Sequence, residues 1–217
     1  MECQMGDIAP EDLTNMLESH QRWLADDPSG ERAVLAGKDL SGCRLVRADL
    51  EKAVLSGADL RGADLAAANL KAADLAGALL DSARLGNALL EGARFDQASL
   101  KNADLTRCGM VFTSFKRADL TSANLSDSFI ISSNFSDAVM ISVVMMRARL
   151  NKCILQRANL SGASLQGLAV FGADLKDANL AGADLTGAHF RDVLLAGADL
   201  DAAILKNSNV KFRVFKS

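Results

Sequence analysis

An apolar residue falls at every fifth position from Leu35 to Val210, without one insertion or deletion. With the positions divisible by five taken as centres, all 36 are apolar: 26 are leucine, and the rest are phenylalanine, methionine, isoleucine or valine. Two residues before each centre the chain is small, with alanine in 25 units and Cys, Ser or Thr in seven more. One residue before it, Asp or Asn is common, as in Ala58-Asp59-Leu60 and Ala183-Asp184-Leu185. A period of five matches neither the 3.6 residues of an α-turn nor the two-residue alternation of a strand. One continuous helix or a sandwich would therefore scatter these leucines over its surface. A chain that turns at a fixed interval, a solenoid, sends them all inward.

The tandem Ala-Asp/Asn-Leu-x-x unit over residues 33 to 212 resembles the pentapeptide-repeat family. The motif is weak in one copy and close to diagnostic in 36 copies of unbroken phase. The resemblance implies an all-β fold, a right-handed quadrilateral parallel β-helix. In it each unit forms one side, the centre and the small residue point inward, and four units close one coil. Right-handedness is also what parallel crossovers prefer.

The outward residues test the four-sided reading independently. If a coil has 20 residues, side chains 20 apart stack at the rung spacing of ~4.8 Å, where opposite charges attract. Charges do alternate at that interval: Arg44, Asp64, Arg84, Asp104; Glu51, Lys71, Glu91; Arg61, Asp81, Lys101; Arg107, Asp127, Arg147; Arg117, Asp137, Arg157. Inside, Phe95, Phe115 and Phe135 recur at 20 and should stack ring beside ring. Residues 33 to 212 then make about nine coils, a rod of about 40 Å at that rung spacing. Twelve of the 16 glycines sit two residues after a centre, where a corner calls for positive φ.

A solenoid needs its ends covered, because the terminal coils otherwise expose core and unpaired backbone. The chain is read as three parts: an N-terminal segment over 1 to 32, the repeat body over 33 to 212, and a tail over 213 to 217. Residues 10 to 26 predict a capping helix. Pro10, Glu11 and Asp12 suit its first turn, and Leu13, Met16, Leu17, His20, Trp23 and Leu24 fall at helical spacing. Lys38, the one charge at an inward small position, is expected beneath that lid. At the other end, Phe212 and Phe215 of the short tail either fold over the last coil or leave it to a second copy of the chain.

Composition excludes several classes of function. Residues 1 to 6 have no signal-peptide pattern and no apolar run approaches a membrane span. Cys43, Cys108 and Cys153 occupy the small inward position and read as reduced core residues, with Cys3 a loose terminal thiol. Buried reduced cysteines point to a cytoplasmic, bacterial protein. The two histidines, His20 and His189, have no metal-like company, and no phosphate loop or nucleophile motif occurs. The regular aspartates read as corner hydrogen-bonders. The chain is therefore expected to be non-enzymatic, with no catalytic residue, cofactor or metal.

What remains is surface, and it is uneven. In coils five and six three of the charge ladders stop, and Val111, Phe112, Phe129, Ile131, Val139, Ile141, Val144 and Met146 stand at outward positions. Between Ser128 and Met146 the only charge is Asp137. From Ala138 to Ala173 there is no Asp or Glu, while Arg147, Arg149, Lys152 and Arg157 are present. An apolar patch with a basic rim on a rigid rod suits an acidic partner protein better than a membrane or nucleic acid. The expected function is a protein-interaction module or scaffold. The ten candidate contact residues are the eight apolar ones, Arg147 and Arg149, and a homodimer through this patch or the C-terminal end is a second partner reading. The resemblance implies an alternative, since some members of the family protect DNA gyrase by imitating duplex DNA with an acidic surface. Residues 33 to 212 hold 19 acids against 20 bases and lack the dense negative charge that mimicry needs.

Overall fold

The computed structural model describes residues 9 to 210. Helix α1, Pro10–Leu24, is followed by 20-residue coils stacked in parallel register. Five three-residue strands form one parallel sheet in sequential order: β1 Gly109–Val111, β2 Phe129–Ile131, β3 Arg149–Asn151, β4 Ala169–Phe171 and β5 His189–Arg191. Each pairs with the next at a register of 20 residues, Met110 opposite Ile130 opposite Leu150. Single parallel bridges carry the same step to Val34 at one end and Ile204 at the other. The chain is the expected parallel β-solenoid, and only the count of regular turns differs from the nine coils expected. Regular strand covers about four turns on one side, and the other rungs are held by one bridge per unit.

The five-residue unit works because it satisfies its own backbone. In the unit centred on Leu35, the Leu35 N–H donates to Val54 in the next coil, the Val54 N–H donates back to Ala33, and the Lys38 N–H closes the corner onto the Leu35 carbonyl. The N–H two residues after the centre also donates forward, Gly37 to Ser56. That leaves the N–H just after the centre, and the Asp or Asn just before the centre accepts it. Ser41 donates to Asp39, Ala66 to Asp64 and Thr106 to Asp104 at 2.9 to 3.1 Å. Buried backbone groups need partners, and the aspartates of the repeat supply the one the geometry leaves out.

The residue two after each centre takes positive φ whether or not it is glycine. Arg47, Lys52, Asn87, Phe112, Arg147 and Asp177 all lie between φ 54 and 62. Here the side chain points into solvent, and the two neighbouring turns over-determine the conformation.

The interior is a column of centres and small residues, almost all without solvent exposure. Phe95, Phe115 and Phe135 stack with centroids 4.9 and 4.8 Å apart and rings 7° from parallel. Where the small position is polar, the side chain is satisfied inside the wall. Thr113, Ser128 and Ser133 donate to the carbonyls of Leu90, Leu105 and Met110 in the preceding coil.

Helix α1 covers the first coil with Leu13, Leu17 and His20, all buried. It is two residues shorter than expected, because Asp26 turns the chain at φ 57 and Asp27 accepts hydrogen bonds from the Ser29 amide and hydroxyl. His20 Nδ1 accepts from the Ala33 N–H at 3.1 Å, which ties the helix to the first unit. Lys38 is exposed and does not lie beneath the helix. At the other end burial declines from Phe190 onward, and Val193, Leu195, Leu200 and Leu205 are only partly covered. Asn209 stands in for the missing rung: its side chain accepts from the Phe190 N–H at 2.7 Å and donates to the Phe190 carbonyl at 3.0 Å. The expected tail, including Phe212 and Phe215, lies outside the described residues.

Two further expectations change. Cys43 is disulfide-bonded, so the reading of three reduced core thiols holds only for Cys108 and Cys153. Cys3 lies outside the described residues. The charge ladders also close unevenly. Arg84 pairs with Asp64, Lys71 with Glu91, Arg147 with Asp127 and Arg157 with Asp137. Arg61, however, turns to Asp59 on its own unit, and Lys101 reaches Asp119 rather than Asp81. A long flexible side chain takes whichever carboxylate is nearest, along the chain or up the stack.

Candidate protein-binding face

Twenty residues per coil and a turn after every unit give the rod four sides. We number them by the units centred on Leu35, Leu40, Leu45 and Leu50. The ten candidate contact residues do not form one patch. Val111, Phe112, Phe129, Ile131 and Arg149 belong to the fourth side, in or just after β1, β2 and β3. Met146 and Arg147 sit at the corner leading into it. Val144, which bridges Asn124 and Ser164, lies on the third side. Val139 and Ile141 belong to the second, which faces away from the fourth. The sequence showed that all these residues share two coils, and the turn at every fifth residue distributes them around the circumference.

The fourth side carries the larger exposed group. Phe112 is 67% exposed and Phe129 49%, with Val111 and Ile131 half-buried between them. Leu89 and Phe171 extend the same side at 46% and 40% exposure. Sequence reasoning passed over these two as contact residues, although their spacing of 40 from Phe129 and Ile131 carried the signal. The Arg191 guanidinium lies over the Phe171 ring, 5.4 Å from its centroid. By contrast, Ile141 on the second side is 37% exposed and stands with half-buried Val139.

The same side is where the backbone runs as true strand. Asp49 and Asn69 precede the first two centres of this side, and from there the residue before the centre becomes Leu89, Gly109, Phe129, Arg149, Ala169 and His189. None of these supplies the short side-chain acceptor of the generic corner. The chain stays extended through the following residue, and Phe112 and Ser132 donate to the carbonyls of Ile131 and Asn151. The result is a flat ribbon five rungs long, in place of the narrow bridged edge seen on the other sides.

Its electrostatics are one-sided. No Asp or Glu occurs in β1 to β5; the acids of this side are Asp49, Glu51 and Glu91 before β1 and Asp192 just after β5. Arg149 and Lys152 have no ion-pair partner among the described residues. Arg147 is committed: two of its nitrogens each donate to Asp127 at 2.8 Å, and that contact holds the Asp127 carboxyl below its usual range. Asp127, Ser128, Phe129, Arg147 and Arg149 line an open recess of about 350 Å³ at the corner.

No group of three or more His, Cys, Asp or Glu among the described residues could hold a metal ion. Burial pushes the Cys108 thiol up to about 12 and raises that of Cys153, so neither is a nucleophile at neutral pH. No helix among the described residues is long and apolar enough to cross a membrane.

Comparison with known proteins agrees with this geometry. A search of curated proteins finds no match. Among solved structures, the chain is similar to HetL, a pentapeptide repeat protein involved in heterocyst differentiation regulation from the cyanobacterium Nostoc sp. strain PCC 7120. The identity is 26% over 94% of this chain and 95% of that one, with a TM-score of 0.38. It is similar also to QnrB1, a plasmid-mediated fluoroquinolone resistance protein, at 18% identity over 80% and 92% of the two chains, with a TM-score of 0.54. A pentapeptide repeat protein from the Arabidopsis thaliana thylakoid lumen is 26% identical over 52% and 66%, with a TM-score of 0.30. The family model for pentapeptide repeats matches residues 31–66, 68–107, 98–137, 131–167 and 173–211. That covers nearly all of the solenoid, and the chain belongs to the pentapeptide-repeat family.

Proposed function

We propose that this protein is a non-enzymatic interaction rod that receives a partner protein on its fourth side, around β1 to β4. The observation that carries this reading is Phe112. It is the one aromatic among the residues held at positive φ, and it is 67% exposed. A bulky side chain in the left-handed region is costly; the corners before and after it in the chain carry Arg107 and Arg117, and those one coil away on the same side carry Gly92 and Ser132. Burial against another molecule is a use for Phe112 that its own fold does not provide. Phe129, Val111 and Ile131 beside it make the apolar surface contiguous, and a contiguous apolar group on a rigid rod marks an interface more often than scattered residues do. Val139 and Ile141 on the second side and Val144 on the third form a separate and smaller group.

The likeness to QnrB1 supports a shared fold and not a gyrase partner. The balance of 19 acids and 20 bases over residues 33 to 212 is unlike a mimic of duplex DNA.

The test separates the two groups that the sequence had joined. Wild-type protein, Phe112→Ser with Phe129→Ser, and Ile141→Ser with Val144→Ser are used as baits in extract of the source organism. Far-ultraviolet circular dichroism confirms that all three fold. The fourth-side pair should lose a partner that the other pair keeps. Retention of every partner by the fourth-side pair would overturn the reading.

A further inference from the structure

We propose that the fourth side receives an acidic amphipathic helix of its partner. The helix lays an apolar stripe over Val111, Phe112, Phe129 and Ile131 and directs a carboxylate into the recess beside Arg149. This rests on the interaction reading above and adds the chemistry and shape of what binds.

The first argument is what the surface cannot do. A peptide that adds itself as a strand needs a free sheet edge. Along the fourth side β2, β3 and β4 are each paired on both flanks, so this surface offers side chains and no backbone. The outer edge of β5 is engaged by the Asn209 side chain. A partner must therefore bring side chains of its own, and a helix presents a row of them.

The second argument is spacing. Rungs follow each other at ~4.8 Å, and successive turns of a helix at ~5.4 Å. A helix laid along the rod thus sets one turn over each rung and drifts by only about 2 Å across four rungs. Read along the axis, the rungs present Val111 and Phe112, then Phe129 and Ile131, then Arg149 and Lys152, then Phe171. The complement is two apolar turns, an acidic turn and a further apolar turn.

The third argument is charge. Arg149 and Lys152 are the uncommitted cations, with no acid on β1 to β5 to satisfy them. Arg147 is already held by Asp127, and Arg191 lies on Phe171 with Asp192 at 3.6 Å. Two free cations between Phe129 and Phe171 match one or two carboxylates on an apolar stripe. A polyanion gains its affinity from many such contacts, and an anionic membrane from a larger basic apron than this.

The probe is a labelled synthetic helix with leucines at i, i+4 and i+11 and glutamates at i+7 and i+8, titrated against the whole protein by fluorescence anisotropy. A second helix has lysine in place of glutamate. Binding of the glutamate helix is expected, weakened about tenfold or more by Arg149→Glu with Lys152→Glu and by Phe129→Ser, and unchanged by Ile141→Ser. Equal binding of the lysine helix, or indifference to the fourth-side variants, would overturn the proposal. So would Arg149-dependent binding of anionic phospholipid vesicles or duplex DNA by a protein that ignores the helix. If the helix fails while the bait experiment still depends on Phe112 and Phe129, the partner's chemistry is wrong and the interaction face stands. If the baits lose no partner either, both fall.

Discussion

At the scale of single residues, the repeat assigns each position one physical task, and the informative residues are those that fit the task badly. Phe112 is the clearest. Its backbone is held at φ 54 while its ring is exposed, so the fold bears a conformational cost and gains no packing in return. Phe112→Gly should therefore be at least as stable as wild type, by up to about 1 kcal/mol, because relief of the left-handed strain outweighs the freedom glycine adds to the unfolded chain. Phe112→Val should be the less stable of the two variants, and urea denaturation distinguishes them. Phe115 is the opposite case. It lies between Phe95 and Phe135 with no exposure, and truncation to alanine should cost about 3 to 5 kcal/mol and broaden the transition at mid-rod. A Phe115→Ala protein within 1 kcal/mol of wild type on the same urea curves would mean that the stacked rings add nothing to the core.

At the scale of elements, α1 docks through Leu13, Leu17 and His20, and one of these titrates. Burial pushes the His20 imidazole below its ordinary 6.5, and nearby Arg32 adds to this. The Glu51 backbone and the carboxylates of Asp49 and Glu51 pull the other way without winning. The Nε2 makes no hydrogen bond of ordinary geometry, and Nδ1 accepts from Ala33, so the neutral ring is the form that fits. A group whose folded value is lowered contributes stability that is fully present above its unfolded value. That contribution is lost as pH falls toward the folded value. Docking of α1 should therefore weaken below about pH 6.5, as the imidazolium forms and its Nδ1 becomes a donor facing a donor. Trp23, the sole tryptophan, stacks on His20 at 5.6 Å between centroids and under the Arg32 guanidinium, so its fluorescence should report the change. A His20→Gln variant should lose the pH dependence; a flat wild-type profile between pH 7 and 5 would show that the ring is not what holds the helix.

At the scale of the whole molecule, the rod divides into a generic frame and one distinctive side. The frame was legible in the sequence. A period of five excludes other folds, charges and phenylalanines recurring at 20 count the sides, and the Asp or Asn that precedes many centres anticipates the corner hydrogen bond later seen between Ser41 and Asp39. The exit from α1 was nearly as clear, since Asp27 and Ser29 announce a local stop. The binding surface was legible only as a stretch of chain. Phe129 and Ile141 are twelve residues apart in a segment whose one charge is Asp137, yet the solenoid puts them on opposite sides, while Leu89, Phe129 and Phe171 come onto one. Some pairings escaped the pattern for a related reason. Arg61 chooses Asp59 over Asp81, and Cys43 is bonded where Cys108 and Cys153 are not, because geometry at a corner or a rod end decides which neighbour is in reach. The sequence by itself determined what points inward, because a strict period and an apolar core leave one way to bury every centre. Only the tertiary structure decided which outward residues share a side, because a turn every fifth residue separates chain neighbours by direction and joins residues 20 apart at one rung.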